Sequence, residues 1–204
     1  MRLALATLGL LATGTIPPSP PPVVTGIEYQ LVFNKTTAAT RSLGVSMRFQ
    51  ASSTGPVELS LPAWTPGSYE ISNYARRVSS FSAAQATTAL RWDKTDFDTW
   101  RVQVSAPGPV TVAFSFTADT LDNAMAWSRA DFAFVNGTNV LLYPEGAGFD
   151  FPATLSVETE TGDCILVAEV FGCVAVRSGF TKSVKFFWPI TMSAAALFAV
   201  GTLL

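Results

Sequence analysis

The chain has 204 residues, 13 basic and 15 acidic, with a formal net charge of −2, so it carries no basic field that would attract nucleic acid. It contains no histidine, which excludes imidazole acid–base catalysis and every zinc site that needs a histidine ligand. Hydrophobic residues make up 49% and charged residues only 14%, against roughly 25% charged in an ordinary domain, which points to a large β core, apolar end segments, or both.

Taken in order, Met1-Arg2 opens an apolar run over residues 3–12, and a proline cluster occupies residues 17–22. One early positive charge, a short apolar region and small residues after it read as an export signal, too short to span a bilayer. The prolines read as an extended linker, so residues 1–22 are expected to be leader and linker. A domain is expected over residues 23–162.

Its pattern has period two. Ile27, Tyr29, Leu31 and Phe33 alternate with Glu28, Gln30 and Val32, and Leu43, Val45, Met47 and Phe49 alternate with Gly44, Ser46 and Arg48. These predict half-buried antiparallel strands joined by a polar loop over residues 34–42. A third strand, residues 57–61, runs into Leu-Pro-Ala-Trp-Thr-Pro-Gly-Ser-Tyr at residues 61–69. Pro62 and Pro66 each fix φ and remove a backbone donor, so this stretch cannot pair as a central strand. Pro66-Gly67 suits a type II turn, and Ser68 suits the cap of a short helix from Tyr69 to about Ala75, with Glu70 near its start. Residues 76–81 return to extended chain. Residues 93–98 read as a charged turn before an alternating strand at Trp100, Val102 and Val104. Val110, Val112, Phe114 and Phe116 form the cleanest strand. Residues 121–129 read as a loop or one helical turn, Phe132-Ala133-Phe134-Val135 as a strand ending in the hairpin-type pair Asn136-Gly137, and residues 139–143 and 153–158 as further strands. The spacing predicts an all-β, antiparallel β-sandwich with one short helix. Asn34 and Asn136 head acceptor sequons for N-glycosylation in a host with that machinery.

Residues 163–185 read as a hairpin or linker. Cys164 and Cys173 there are a candidate disulfide if the chain is exported, and otherwise two small core residues. Residues 186–204 carry no charge, follow Lys182 and Lys185, and reach about the length of a membrane span. Three readings stay open: a C-terminal membrane anchor, a processed lipid-anchor signal, or an accidental tail.

Leu61 through Tyr69, continued by Ile71, Asn73, Tyr74 and Ala75, resembles the signature of the N-terminal domain of the family-61 metallopeptidases, the glycyl aminopeptidase group that often carries a PDZ domain. Supporting pieces follow in order: Tyr29, Arg77-Val78 with Phe81, Lys94 and Trp100 spaced as Lys-x-x-x-x-x-Trp, and Phe134 with Asn136-Gly137-Thr138. The resemblance covers about residues 27–161. It implies an all-β domain that in the family precedes a thermolysin-like catalytic domain, whose zinc is held by His-Glu-x-x-His and a downstream glutamate. None of those ligands has a position here, so the resemblance implies no catalytic residue, metal or cofactor for this chain.

Three functions compete. The first is a non-catalytic interaction module, with Trp64, Pro66, Gly67, Ser68, Tyr69, Tyr74, Arg76 and Arg77 as the candidate surface for a peptide or protein, exported and held at a membrane by its tail. The second is a separate part of a peptidase whose catalytic domain lies elsewhere. The third is catalysis by carboxylates at Asp93, Asp96 and Asp98, or at Asp119 and Asp122, although these residues sit where turns favour aspartate.

The two ends make a direct prediction. The native protein is expected to lack about its first 15–22 residues, as an export signal is removed, and to stay with membranes through a carbonate wash. Intact mass and partitioning check both, and a soluble product of full length would refute them.

Overall fold

The computed structural model describes residues 21–64, 70–121, 126–147 and 151–160, together with the backbone of three later strands. The leader and most of the proline linker lie outside the described residues, as do residues 189–204.

The predicted alternation forms β1 (Val24–Phe33) and β2 (Ser42–Ala51). On β1, Ile27, Tyr29, Leu31 and Phe33 are buried while Glu28 and Gln30 face solvent. The strand that leads into the stretch at residues 61–69 is β3 (Gly55–Ser60). After the loop come β4 (Val78–Gln85), β5 (Thr88–Ala89), β6 (Trp92–Lys94), β7 (Thr99–Val104) and β8 (Gly108–Thr117). Then follow β9 (Ala126–Arg129), β10 (Phe132–Asn136), β11 (Tyr143–Pro144) and β12 (Phe151–Thr159). The last described strands are β13 (Cys164–Ala168), β14 (Val174–Arg177) and β15 (Lys182–Trp188).

Seven strands form one sheet in the order β15-β12-β1-β2-β8-β4-β5, and two four-stranded sheets run β11-β3-β7-β6 and β14-β13-β10-β9. The sheet containing β3 and β7 packs across the seven-stranded sheet. Phe81 of β4 stacks on Trp100 of β7, with ring centroids 5.1 Å apart and planes 5° apart, and lies 6.3 Å from Phe114 of β8. One buried cluster joins these faces, including Tyr29, Phe33, Met47, Phe49, Leu59, Val102, Val112 and Phe116. Each such side chain contributes on the order of 1.5–3 kcal/mol by leaving water. The all-β sandwich expected from the sequence is the fold observed.

Several local expectations change. Two pairings are parallel, β1 with β12 and β10 with β13, because residues far apart in sequence fill adjacent places in a sheet and no hairpin dictates their direction. The supposed polar loop after β1 contains α1 (Lys35–Ala39). The Asn34 side chain accepts from the Thr37 amide at 3.0 Å, and the Thr37 hydroxyl accepts from the Asn34 amide at 2.9 Å, a reciprocal capping box. Asn136-Gly137 makes no hairpin turn. Asn136 instead caps α2 (Gly137–Val140), accepting from the Thr138 amide at 2.9 Å. Asparagine suits both conformations, and burial of Val140, Leu141 and Leu142 decides between them. Residues 126–129, read as loop or helix, pair as β9 with β10. The helix expected from Tyr69 to Ala75 is a single 3₁₀ turn at Tyr74–Arg77. Asn73, in the left-handed region at φ 43°, precedes it without a side-chain cap. The sandwich also continues beyond residue 162, since β15 pairs antiparallel with β12. That strand includes Phe186–Trp188, so the apolar span expected from residue 186 does not begin there. No helix among the described residues is long and apolar enough to cross a membrane.

Tyr29 ties the sheet to the chain beyond α2: its buried hydroxyl donates to the Leu142 carbonyl at 2.5 Å. Burial raises its pKa above the ordinary value of 10.0. Below pH ~10 both folded and unfolded chains keep the proton. Above it the unfolded chain loses a proton that the folded chain retains, so stability falls by about 1.4 kcal/mol per pH unit through this group. Tyr29→Phe is expected to lose about 1 kcal/mol at neutral pH and to fall less steeply above pH 10. Urea unfolding of both proteins at neutral and alkaline pH measures this.

Candidate functional site

The loop after β3 is held at its base from two sides. Leu61 N donates to Asp98 O at 3.0 Å, and Ser72 N donates to Ala63 O at 2.9 Å. The first bond ties the loop to the β6–β7 turn and the second draws its two ends together. Trp64, Ile71 and Phe97 thereby come to one end of the four-stranded sheet, where they remain 46%, 72% and 45% exposed. Beside them β11 pairs with β3, setting Tyr143 opposite Ser60. Partial burial, together with the nearby charges of Glu145 and Asp98, raises the Tyr143 phenol to about 12. The rim of this end is therefore acidic as well as apolar.

The expected surface divides. Trp64 lies in water for nearly half of its surface. Tyr74 is fully buried, a core residue under the loop and no part of the surface: on the 3₁₀ turn its ring points inward with Ala75. Arg76 is exposed. Arg77 is mostly buried and ion-paired with Asp119, and its second terminal nitrogen donates to Thr120 Oγ1 at 2.8 Å. It locks the loop's exit to the segment after β8 and is not free to receive a partner's carboxylate. Pro66, Gly67, Ser68 and Tyr69 lie outside the described residues.

The aspartates are occupied locally. Asp93 receives Arg101 through two bonds, at 3.1 and 2.5 Å. Asp96 accepts from the Phe97 amide at 2.6 Å, and Asp98 accepts from the Thr99 hydroxyl at 3.1 Å. Asp122 lies outside the described residues. This is the geometry of turns and surface ion pairs, and it assembles no acid–base pair. Among the described residues no cluster of histidine, cysteine, aspartate and glutamate is arranged to hold a metal.

Of the modification sites, Asn34 is partly exposed. Asn136 is fully buried as a helix cap, so the folded chain does not present it to a glycan-transferring enzyme. Cys173 lies outside the described residues.

The Lys94–Trp100 spacing acquires a physical meaning. The two residues face each other across β6 and β7, with the Lys94 ammonium 4.8 Å from the centre of the Trp100 ring. The sequence offered no sign that the segments carrying Phe97, Ile71 and Tyr143 border the one carrying Trp64, because backbone bonds and strand pairing bring those segments together.

The structure so far is a β-sandwich that leaves Trp64 exposed at one end of a four-stranded sheet. Residues 28–168 match the family described as the Peptidase M61 N-terminal domain, and the chain belongs to that family. The match extends slightly past residue 161, through β13. An aminopeptidase N family protein from Idiomarina loihiensis shares 26% identity with a TM-score of 0.60, over 65% of this chain and 22% of that one. An M1 zinc metallopeptidase from Deinococcus radiodurans, solved as a mutant with a Tyr-Ser-Ala substrate, shares 13% identity with a TM-score of 0.40, over 82% and 39% of the two chains. No curated protein matches. The chain thus spans less than half the length of these solved structures.

The Arg77 pair can be tested alone. Bonds from Arg77 and then Thr120 hold the Asp119 carboxyl below its ordinary value. Its stabilisation is present above the unfolded pKa and is lost as pH falls through the lower folded value. Since Asp119 is largely exposed, the pair is worth at most about 1 kcal/mol. In Arg77→Gln the Asp119 titration, followed by carboxyl carbon NMR, is expected to move up toward ~3.9. An unchanged titration would show that the pair does not persist in solution.

Proposed function

We propose that this domain is a non-catalytic interaction module that takes a peptide or a protein segment at the Trp64 end. The observation that carries this reading is the exposure of Trp64, Ile71 and Phe97 at one end of a sheet whose other large apolar side chains are mostly buried. Interfaces are enriched in such aromatics, and their energy concentrates in a few of them. Backbone bonds from Leu61 to Asp98 and from Ser72 to Ala63 fix the segments that carry Trp64 and Ile71 before any partner arrives. Asp98 and Glu145 beside Tyr143 favour an apolar segment carrying positive charge. Family membership gives a second reading, in which this domain is one part of a peptidase and the partner is a catalytic domain on another polypeptide.

Export belongs to the proposal and rests on the sequence of residues 1–22. A membrane tether through the tail belongs to the same proposal and rests on the uncharged residues 186–204, the first three of which also lie in β15.

The full chain is titrated calorimetrically with a short apolar peptide carrying a lysine, and with a purified family-61 catalytic domain. Trp64→Ala is expected to weaken whichever partner binds by tenfold or more, the loss of a modest hot spot, with little change in melting temperature because the side chain is exposed. Binding of the peptide supports the module, and binding of the catalytic domain alone supports the second reading. No binding of either, or equal binding by Trp64→Ala, rejects the site.

A further inference from the structure

A second feature lies apart from the Trp64 end. A cavity of about 360 Å³ opens between α1 and the β9–β10 turn, lined by Lys35, Ala38, Ala39, Arg41, Arg129 and Ala130. Half of its lining residues are cations, in a chain whose acidic residues outnumber its basic ones by 15 to 13.

Two of these cations are held in advance of any ligand. Arg41 sits in the left-handed region at φ 49°, a conformation rare for a long side chain and kept only where neighbours enforce it. Its amide donates to Ala38 O at 3.0 Å, and its carbonyl accepts from Ala118 N at 2.7 Å. The Arg129 guanidinium lies 6.0 Å from the Trp127 ring centre and 5.9 Å from that of Phe132. Its Nε also donates to Asp131 at 2.9 Å. The other carboxylate nearby, Glu160, accepts from the Lys35 amide at 3.3 Å. Neither the Lys35 ammonium nor the Arg41 guanidinium has an ion-pair partner among the described residues. The amides of Lys35 and Thr37 in α1 already have acceptors, so the site's charge comes from side chains.

We propose that this cavity binds a small molecule bearing a phosphate or sulfate group. Asp131 offsets Arg129 and Glu160 lies beside Lys35, which leaves a net charge of about one positive unit at the opening, with the unpaired Arg41 guanidinium as its centre, and a phosphate or sulfate group matches it. A guanidinium presents paired donors to a tetrahedral oxyanion, the ammonium adds a point charge, and the alanines leave room for the rest of the molecule. The site is open to water, so its affinity is expected to fall as salt rises.

The test titrates the full chain with inorganic phosphate while backbone amide NMR signals are followed. Saturable shifts at Lys35, Arg41 and Arg129 are expected. Arg41→Gln, which keeps the backbone strain unchanged, is expected to weaken binding by about tenfold, the loss of one charge-assisted hydrogen bond. Asp131→Asn removes the competing carboxylate and is expected to tighten binding, a gain that a folding defect cannot produce. Co-sedimentation with phosphatidylcholine vesicles containing phosphatidate, abolished by Arg41→Gln, would assign a lipid-borne phosphate; phosphate binding without it would assign a soluble ligand. No saturable binding of either probe, or affinities unaffected by both substitutions, would overturn the proposal.

Discussion

The parallel pairing of β1 with β12 is the contact on which the rest of the domain depends. It runs from Ile27 opposite Ala153 to Phe33 opposite Thr159, joining residues more than 120 apart in sequence. Without it, β1 would be left as a sheet edge, and β12 with β15 would have no sheet to join. Such a pairing must offset a large loop-closure entropy before it gains any burial. The return comes from an inner face that buries Leu155 and Val157 beside Leu31 and Phe33. Tyr29 reinforces the closure by binding the Leu142 carbonyl.

The Trp64 end shows the opposite balance. Its loop is fastened by two backbone hydrogen bonds, by the Arg77–Asp119 pair at its exit, and by the buried ring of Tyr74. The fastening lies at the base, while Trp64 and Ile71 stay in water. Leaving large apolar side chains exposed forgoes about 25 cal/mol for each Å² that could have been buried, and that cost fits a surface kept for a partner. The cavity near α1 follows another logic, in which charge is concentrated by a strained arginine and by an arginine resting on aromatic rings.

Much of the sandwich was legible. Strict alternation in β1, β2 and β8 identified both strand and buried face, since a period of two leaves one face for the core. The prolines at 62 and 66 ruled out a central strand for the loop whatever the rest of the chain does. Less legible were segments whose residues suit two conformations. Asn136-Gly137 reads equally as a hairpin turn and a helix cap. The Asn34–Thr37 capping box sits in a stretch whose polar composition suggested a loop, and its two reciprocal bonds exist only once the turn has formed. For the candidate site, the composition of the loop did not settle whether Trp64 packs or stays in water, and Tyr74 and Arg77 looked like surface but are taken up by the core and by Asp119.

The sequence by itself determined the all-β class, the family kinship through the loop at 61–69, and the lack of any histidine ligand, because these depend only on residue identity and local periodicity. Tertiary structure decided which strands pair in parallel, which of the two tyrosines Tyr29 and Tyr143 lies fully buried, and which charges meet. Those outcomes depend on register between distant strands: a one-residue slip would exchange every inward side chain for its outward neighbour.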